Sequence, residues 1–227
     1  MNSIFLQITT KAAEASEVTS SSFFDMITGI GYTGLIIMTI IFFLSIYSIY
    51  IFFERYFTIK KAGVLDSNFM NRVSEFVLNG NLEGAKDWCR KEDSPIAHMI
   101  GKGVNRIGKS MKDISATIEN QGNLEVQRLE KGLVALATIA GAAPMLGFLG
   151  TVTGMITTFK DIADGNTAAG EMAGGLYEAM FTTAFGLASG LIAYVAYNML
   201  TGMIDKVIFK IEANSVEFID MLSDPSK

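Results

Sequence analysis

The chain has 227 residues, 50% of them hydrophobic, a mean hydropathy of +0.36 and a formal net charge of −5. Only 18% of the residues are charged, which is too few for an ordinary soluble domain and directs attention to a membrane. No nucleic acid is expected as a partner, and no nucleotide loop, catalytic-triad spacing or zinc pattern points to an enzyme, a cofactor or a metal.

Residues 1–31 form an N-terminal arm. Its first ten residues lack the basic start of a cleaved signal. Ser20, Ser21 and Ser22 are placed to cap a short amphipathic helix through Phe23, Phe24, Met26 and Ile27 at the outer membrane surface. Residues 32–53 carry no charge and are long enough, at about 1.5 Å per residue, to cross roughly 30 Å of hydrocarbon.

Residues 54–131 hold thirteen of the eighteen Lys and Arg side chains and read as helices throughout. Asp66 or Ser67 is placed to cap a helix carrying Phe69, Val73, Phe76 and Val77, with Gly80 ending it. Asn81 can cap Leu82–Lys91. Ser94-Pro95 is a cap followed by proline at the first helical position. Asp113 opens a helix expected to run unbroken into the next span, with Ile114, Ile118, Leu124, Leu129 and Leu133 on its apolar side. Cys89 and His98, the sole members of their residue types, lack the neighbours of a disulfide or metal site.

Two more spans follow, at 132–159 and 172–204, joined by a connection over 160–171 and completed by a C-terminal helix over 205–227. Asp161, Asp164 and Glu171 of the connection read as solvated charges, or as attractors of cations. The basic residues crowd the middle region, while the arm has only Lys11 and the connection only Lys160. The positive-inside rule therefore sets the N-terminus outside and the C-terminus in the cytoplasm. The fold class is an all-α membrane protein with three transmembrane helices and long helices extending into a cytoplasmic bundle.

Glu178 is the only ionisable Asp, Glu, Lys, Arg or His between Met172 and Ile204. A charge at the centre of a span costs about 2.5–3.5 kcal/mol on insertion scales, so it marks a proton or ion path, or a polar contact between helices. Thr151 and Thr158 share a face of the second span. Thr182 lies one turn beyond Glu178, with Thr183 beside it and Ser189 continuing the stripe. Gly150 and Gly154, and Gly186 and Gly190, form two G-x-x-x-G spacings suited to close helix packing. Pro144 is placed to bend the second span.

The run Gly147-Phe148-Leu149-Gly150-Thr151-Val152-Thr153-Gly154-Met155-Ile156 resembles the GLxGTVxGM signature of the MotA/TolQ/ExbB proton-channel family. The run from Gly175 through Glu178, Thr182 and Thr183 to Leu187 resembles its GIxEALxTTAxGL signature. Glu54-Arg55 and Ser94-Pro95-Ile96-Ala97 also look like family marks, and three spans resemble the ExbB/TolQ branch rather than the four-span flagellar stators.

The resemblance implies a homopentamer in a bacterial inner membrane, with a periplasmic N-terminal arm and with the second and third spans around a central pore. The pore would hold the spans of a dimeric ExbD-like or TolR-like partner, which supplies the proton-carrying aspartate. A TonB-like or TolA-like protein would receive the energy. Thr151, Glu178 and Thr183 match the family's polar pore positions; Thr158 and Thr182 are further candidates, Thr182 standing where a small apolar residue is common. Five ionised carboxylates in a dry pore would repel, so some must be protonated, hydrated or paired. Glu178 then either helps move a proton or hydrogen-bonds a neighbouring helix and holds the ring together. The implied function is a proton channel and stator subunit serving a TonB-like protein. The alternatives are a TolQ-type subunit of envelope constriction and a membrane scaffold without ion flow.

Overall fold

The computed structural model of the protein describes residues 32–66, 68–165 and 169–223. The arm over 1–31 with its expected cap at Ser20–Ser22, the Ser67 cap, the side chain of Glu171 and residues 224–227 lie outside the described part. Within it the chain runs α1 (Tyr32–Ala62), α2 (Phe69–Leu78), α3 (Leu82–Lys91), α4 (Pro95–Val104), α5 (Met111–Glu130), α6 (Leu133–Ala163) and α7 (Ala169–Ser223). No strand occurs among the described residues.

Three helical stretches, within α1, α6 and α7, are long and apolar enough to cross a membrane. α1 has 31 residues and α7 has 55, or about 46 and 82 Å at 1.5 Å per residue, so both outrun a hydrocarbon layer of roughly 30 Å. Pro144 sits inside α6 without ending it. The described chain divides into two compact units: residues through Leu44 with Gly141–Gly190, and Ser45–Ala140 with Leu191 onward.

The second unit is built on local stop and start signals. Gly80 ends the α2 turn at a φ of 72°, a left-handed conformation that glycine adopts without steric cost. The Asn81 side chain accepts from the Gly84 N–H at 3.0 Å and starts α3. The Ser94 hydroxyl accepts from the Ala97 N–H at 3.2 Å, with Pro95 at the first position of α4.

Two starts differ from expectation. Asp66 accepts from the Asn68 N–H in the turn before α2, and Asn68 occupies the cap position without a side-chain bond of its own. α5 opens at Met111 because Ser110 caps it: the Ser110 hydroxyl accepts from the Asp113 N–H and donates to the Asp113 carboxylate. Asp113 is thus the third residue of the helix, bound to the Ser110 cap through both its N–H and its carboxylate.

The helix expected to run unbroken from Asp113 into the second span is interrupted. α5 stops at Glu130, Lys131 takes an extended ψ of 128°, and Gly132 turns at a φ of 90° before α6 begins. A Cβ on Gly132 would stand 3.4 Å from Ile51 and 3.5 Å from the Arg55 Nε, so α1 packs against the break. Of the apolar side expected for α5, Ile114, Ile118, Leu129 and Leu133 are buried and Leu124 is exposed.

Phe69, Val73, Ile96, Met99, Ile100, Ile118, Leu136, Leu200, Ile204 and Phe218 are sealed from solvent in one core. Full burial of each large apolar side chain contributes about 1.5–3 kcal/mol. The far end of α7 supplies Ile211 and Phe218, which reach Gly122 and Gly103 where no side chain blocks them. Lys210 Nζ donates to the Gly63 carbonyl at 2.7 Å and ties α7 to the end of α1.

Candidate proton-pathway residues and their helix seam

Within the first unit, α6 and α7 meet along residues with little or no side chain. A Cβ on Gly186 would fall 2.7 Å from the Ala143 carbonyl oxygen and 2.8 Å from the Gly147 Cα. One on Gly147 would fall 3.0 Å from the Thr182 oxygen, and one on Gly154 would fall 3.1 Å from the Ala179 Cβ. The contacts run Ala143 and Gly147 to Gly186, Gly150 to Thr182, then Gly154 to Ala179, so the helices are antiparallel. Close backbone approach of this kind supplies the dispersion contacts that hold helices together in lipid. Gly150, Gly154, Gly186 and Gly190 are all buried. Gly147 and Ala143 make the closest backbone approach, to Gly186. Their place in the stripe 143, 147, 150, 154 was the available sequence signal.

The seam brings two of the expected polar residues together. Thr151 and Thr183, both half-buried, are joined hydroxyl to hydroxyl. The Thr183 hydroxyl also donates to the Gly147 carbonyl at 2.9 Å, and the Thr151 hydroxyl is 3.2 Å from the Ala179 carbonyl. Two hydroxyl protons and two terminal carbonyls make a chain with two directions. Either Thr151 donates to Thr183 and Thr183 to Gly147, or Thr183 donates to Thr151 and Thr151 to Ala179. The carbonyls of Gly147 and Ala179, which end this chain, are atoms that side-chain reasoning does not find.

Glu178 is half-buried and immediately precedes Ala179, whose carbonyl closes one end of this chain. Tyr177 and Phe181 stack on the same helix at 6.2 Å.

Thr158 and Thr182 sit differently. Both are buried and turn their hydroxyls back onto their own helices, Thr158 to Gly154 at 3.0 Å and Thr182 to Ala179 at 2.9 Å. Thr158 packs against Gly175 and Thr182 against Gly150, so each fills the space a glycine leaves. The stripe from Glu178 through Thr182 to Ser189 is therefore not one open polar face: Thr182 and Ser189 are 0% and 3% exposed within the single chain. Among the described residues no group of three His, Cys, Asp or Glu side chains is placed to hold a metal.

A family model for the MotA/TolQ/ExbB proton channel family matches residues 91–213, more than half of the chain and all of the α6–α7 seam. The chain belongs to the MotA/TolQ/ExbB proton channel family. With its three apolar spans it is a multi-pass membrane protein, and the two signature runs are the two sides of the seam.

Among relatives in this family, a putative biopolymer transport protein ExbB homolog of Methanothermobacter thermautotrophicus is 29% identical over 84% of this chain and 68% of that protein. The Tol-Pal system protein TolQ of Haemophilus influenzae is 35% identical over 43% of this chain and 42% of that protein. The biopolymer transport protein ExbB of Xanthomonas campestris is 32% identical over 45% and 41%. The matches to these TolQ and ExbB proteins thus span about two fifths of the relatives' length.

Proposed function

We propose that the chain is the channel and stator subunit of an inner-membrane motor that uses the proton motive force to energise a TonB-like protein for outer-membrane transport. It would assemble as a homopentamer with its N-terminus periplasmic and its C-terminus cytoplasmic. A dimeric ExbD-like protein would occupy the pore and carry the proton on its own aspartate. The observation that carries this reading is the Thr151–Thr183 hydroxyl pair, which joins α6 to α7, the helix of Glu178, the one carboxylate of the third span. Such a pair has two hydrogen-bond directions, so it can re-form after a proton passes or a partner group turns past it. The chain's part is then to hold and orient polar groups, with no covalent step of its own.

In the ExbB reading, Glu178→Gln keeps shape and most hydrogen bonding while removing titration. Purified with an ExbD-like partner in liposomes, the variant is expected to assemble and to lose most proton flux. Assembly with undiminished flux would leave Glu178 as a structural contact that holds the ring. No flux from the unaltered complex would favour a membrane scaffold without ion flow.

A TolQ-type role in envelope constriction, with TolR-like and TolA-like partners, is the second reading, since TolQ is among the relatives. Complementation separates them. Restored uptake of iron chelates in a strain lacking ExbB and TolQ supports the first, and restored detergent resistance and division supports the second.

A further inference from the structure

Helices α3, α4 and α5 line an open cleft of about 520 Å³, within the roughly 300–1,000 Å³ of small-molecule sites. It lies wholly in the second unit. Glu125 is part of its lining, only 4% exposed, and accepts from Gln121 Nε2 and Arg128 Nη1, both at 2.8 Å. His98 Nδ1 stands 3.5 Å from the same carboxylate. Lys86, Arg90, Lys102, Asn105 and Arg128 complete the polar lining.

The charges are unevenly spent. Lys86 is held by Glu83 at 2.7 Å, and Arg128 is held by Glu125. Arg90 touches Asp87 through one terminal nitrogen at a loose 3.6 Å. Lys102 makes no ion pair among the described residues. Each guanidinium engages one terminal nitrogen in these pairs, and its remaining N–H donors are left for another acceptor. Three cationic groups with spare donors thus line one cleft together with a buried carboxylate. Arg90, Lys102 and Arg128 are exposed to solvent, whereas the carboxylate of Glu125 is buried beside them.

We propose that this cleft binds a small phosphate ester, with its phosphate between Lys102, Arg90 and Arg128 and a hydroxyl or amine of its organic part donating to Glu125. Arginine forks match phosphate oxygens, and lysine adds a mobile point charge. The ester can be a soluble phosphorylated metabolite or the headgroup of a phospholipid. The site does not rest on the channel reading, because binding needs neither a partner chain nor a proton gradient.

The test uses the full chain in nanodiscs of phosphatidylcholine. Glycerol 3-phosphate and inorganic phosphate are titrated by calorimetry, and phosphatidylglycerol is offered separately and scored by native mass spectrometry. Saturable binding of glycerol 3-phosphate identifies a soluble ligand, and retention of phosphatidylglycerol alone identifies a lipid. In either case Lys102→Gln, and Lys102→Gln with Arg90→Gln, are expected to weaken binding tenfold or more, while Lys109→Gln outside the cleft leaves it unchanged. Glu125→Gln is expected to reduce the preference for glycerol 3-phosphate over inorganic phosphate. Lys102 has no ion pair to lose, so that variant folds and gives a clean reading. Absence of saturable binding by every probe, or binding indifferent to Lys102 and Arg90, overturns the proposal.

Discussion

Thr151 of α6 and Thr183 of α7 share a hydrogen bond between their hydroxyls, and each also reaches a backbone carbonyl at the seam. Valine has the shape of threonine without the hydroxyl. Thr151→Val or Thr183→Val therefore removes the chain of two directions while leaving the packing nearly intact. The helical carbonyls of Gly147 and Ala179 retain their backbone bonds, so the stability cost is about 1 kcal/mol. Proton flux with an ExbD-like partner is expected to fall tenfold or more in each variant and to be largely kept by Thr151→Ser. Full flux through the Thr183→Val complex would remove the hydroxyl pair from the pathway.

The seam makes a second prediction about which glycine can be relieved. A Cβ on Gly150 would fall 2.8 Å from the Thr182 Cβ, whereas one on Gly186 would strike the backbone of Ala143 and Gly147. Gly150→Ala is expected to cost about 1–3 kcal/mol through overpacking. Adding Thr182→Gly should restore most of it, because the obstructing atoms, Thr182 Oγ1 at 2.5 Å and Cβ at 2.8 Å, leave with that side chain. Gly186→Ala has no side chain to trim, so the same second change should leave its loss intact. Thermal unfolding of the four variants in nanodiscs measures both effects, and equal rescue of Gly150→Ala and Gly186→Ala would contradict the geometry.

What could be read from the sequence was what short-range chemistry dictates. Ser94-Pro95, Asn81 and Gly80 act within a few residues of themselves, and the three apolar stretches need only length and composition. The motifs mark Thr151 and Thr183 together as polar pore positions, but a motif gives positions on a helix and not which atoms meet across it. Thr182 looked like part of Glu178's stripe because spacing of four residues places both on one side. Its burial comes from Gly150 on the opposite helix, which periodicity along α7 does not contain. The break at Gly132 was hidden for a related reason: apolar spacing continues from Leu129 to Leu133, and a lone glycine in such a pattern is ordinarily tolerated.

Gly132 gives a direct test of that break. Its φ of 90° strains any L side chain, while the added Cβ would meet Ile51 and Arg55 in ordinary contact at 3.4 and 3.5 Å, so the backbone alone sets the cost. Gly132→Ala is expected to cost about 1–2 kcal/mol, more than the ordinary helix-interior change, in which alanine is favoured by up to about 1 kcal/mol. A melting temperature raised by the substitution would mean that α5 and α6 prefer to run on as one helix.

Cys89 supplies a pH-dependent prediction outside the membrane spans. Burial pushes its thiol up to about 11 from an ordinary value of 9.0, because burial strips hydration from the thiolate. A shift of about two units lowers the thiolate population of the folded chain near pH 8 roughly a hundredfold relative to the unfolded chain. The sign of the stability effect follows from proton counting. Between about pH 9 and pH 11 the unfolded chain has released the thiol proton and the folded chain retains it, so stability falls as the pH rises through that window. Maleimide labelling at pH 8 is therefore expected to be at least a hundredfold slower on the native chain than on the chain in denaturant. Mild denaturant that loosens α3 from α4 should close the gap, since Gly101 of α4 backs directly on Cys89, with a Cβ there falling 3.2 Å from the cysteine Cβ. Rapid native labelling at pH 8 would show that the α3–α4 contact opens far more readily than this packing implies.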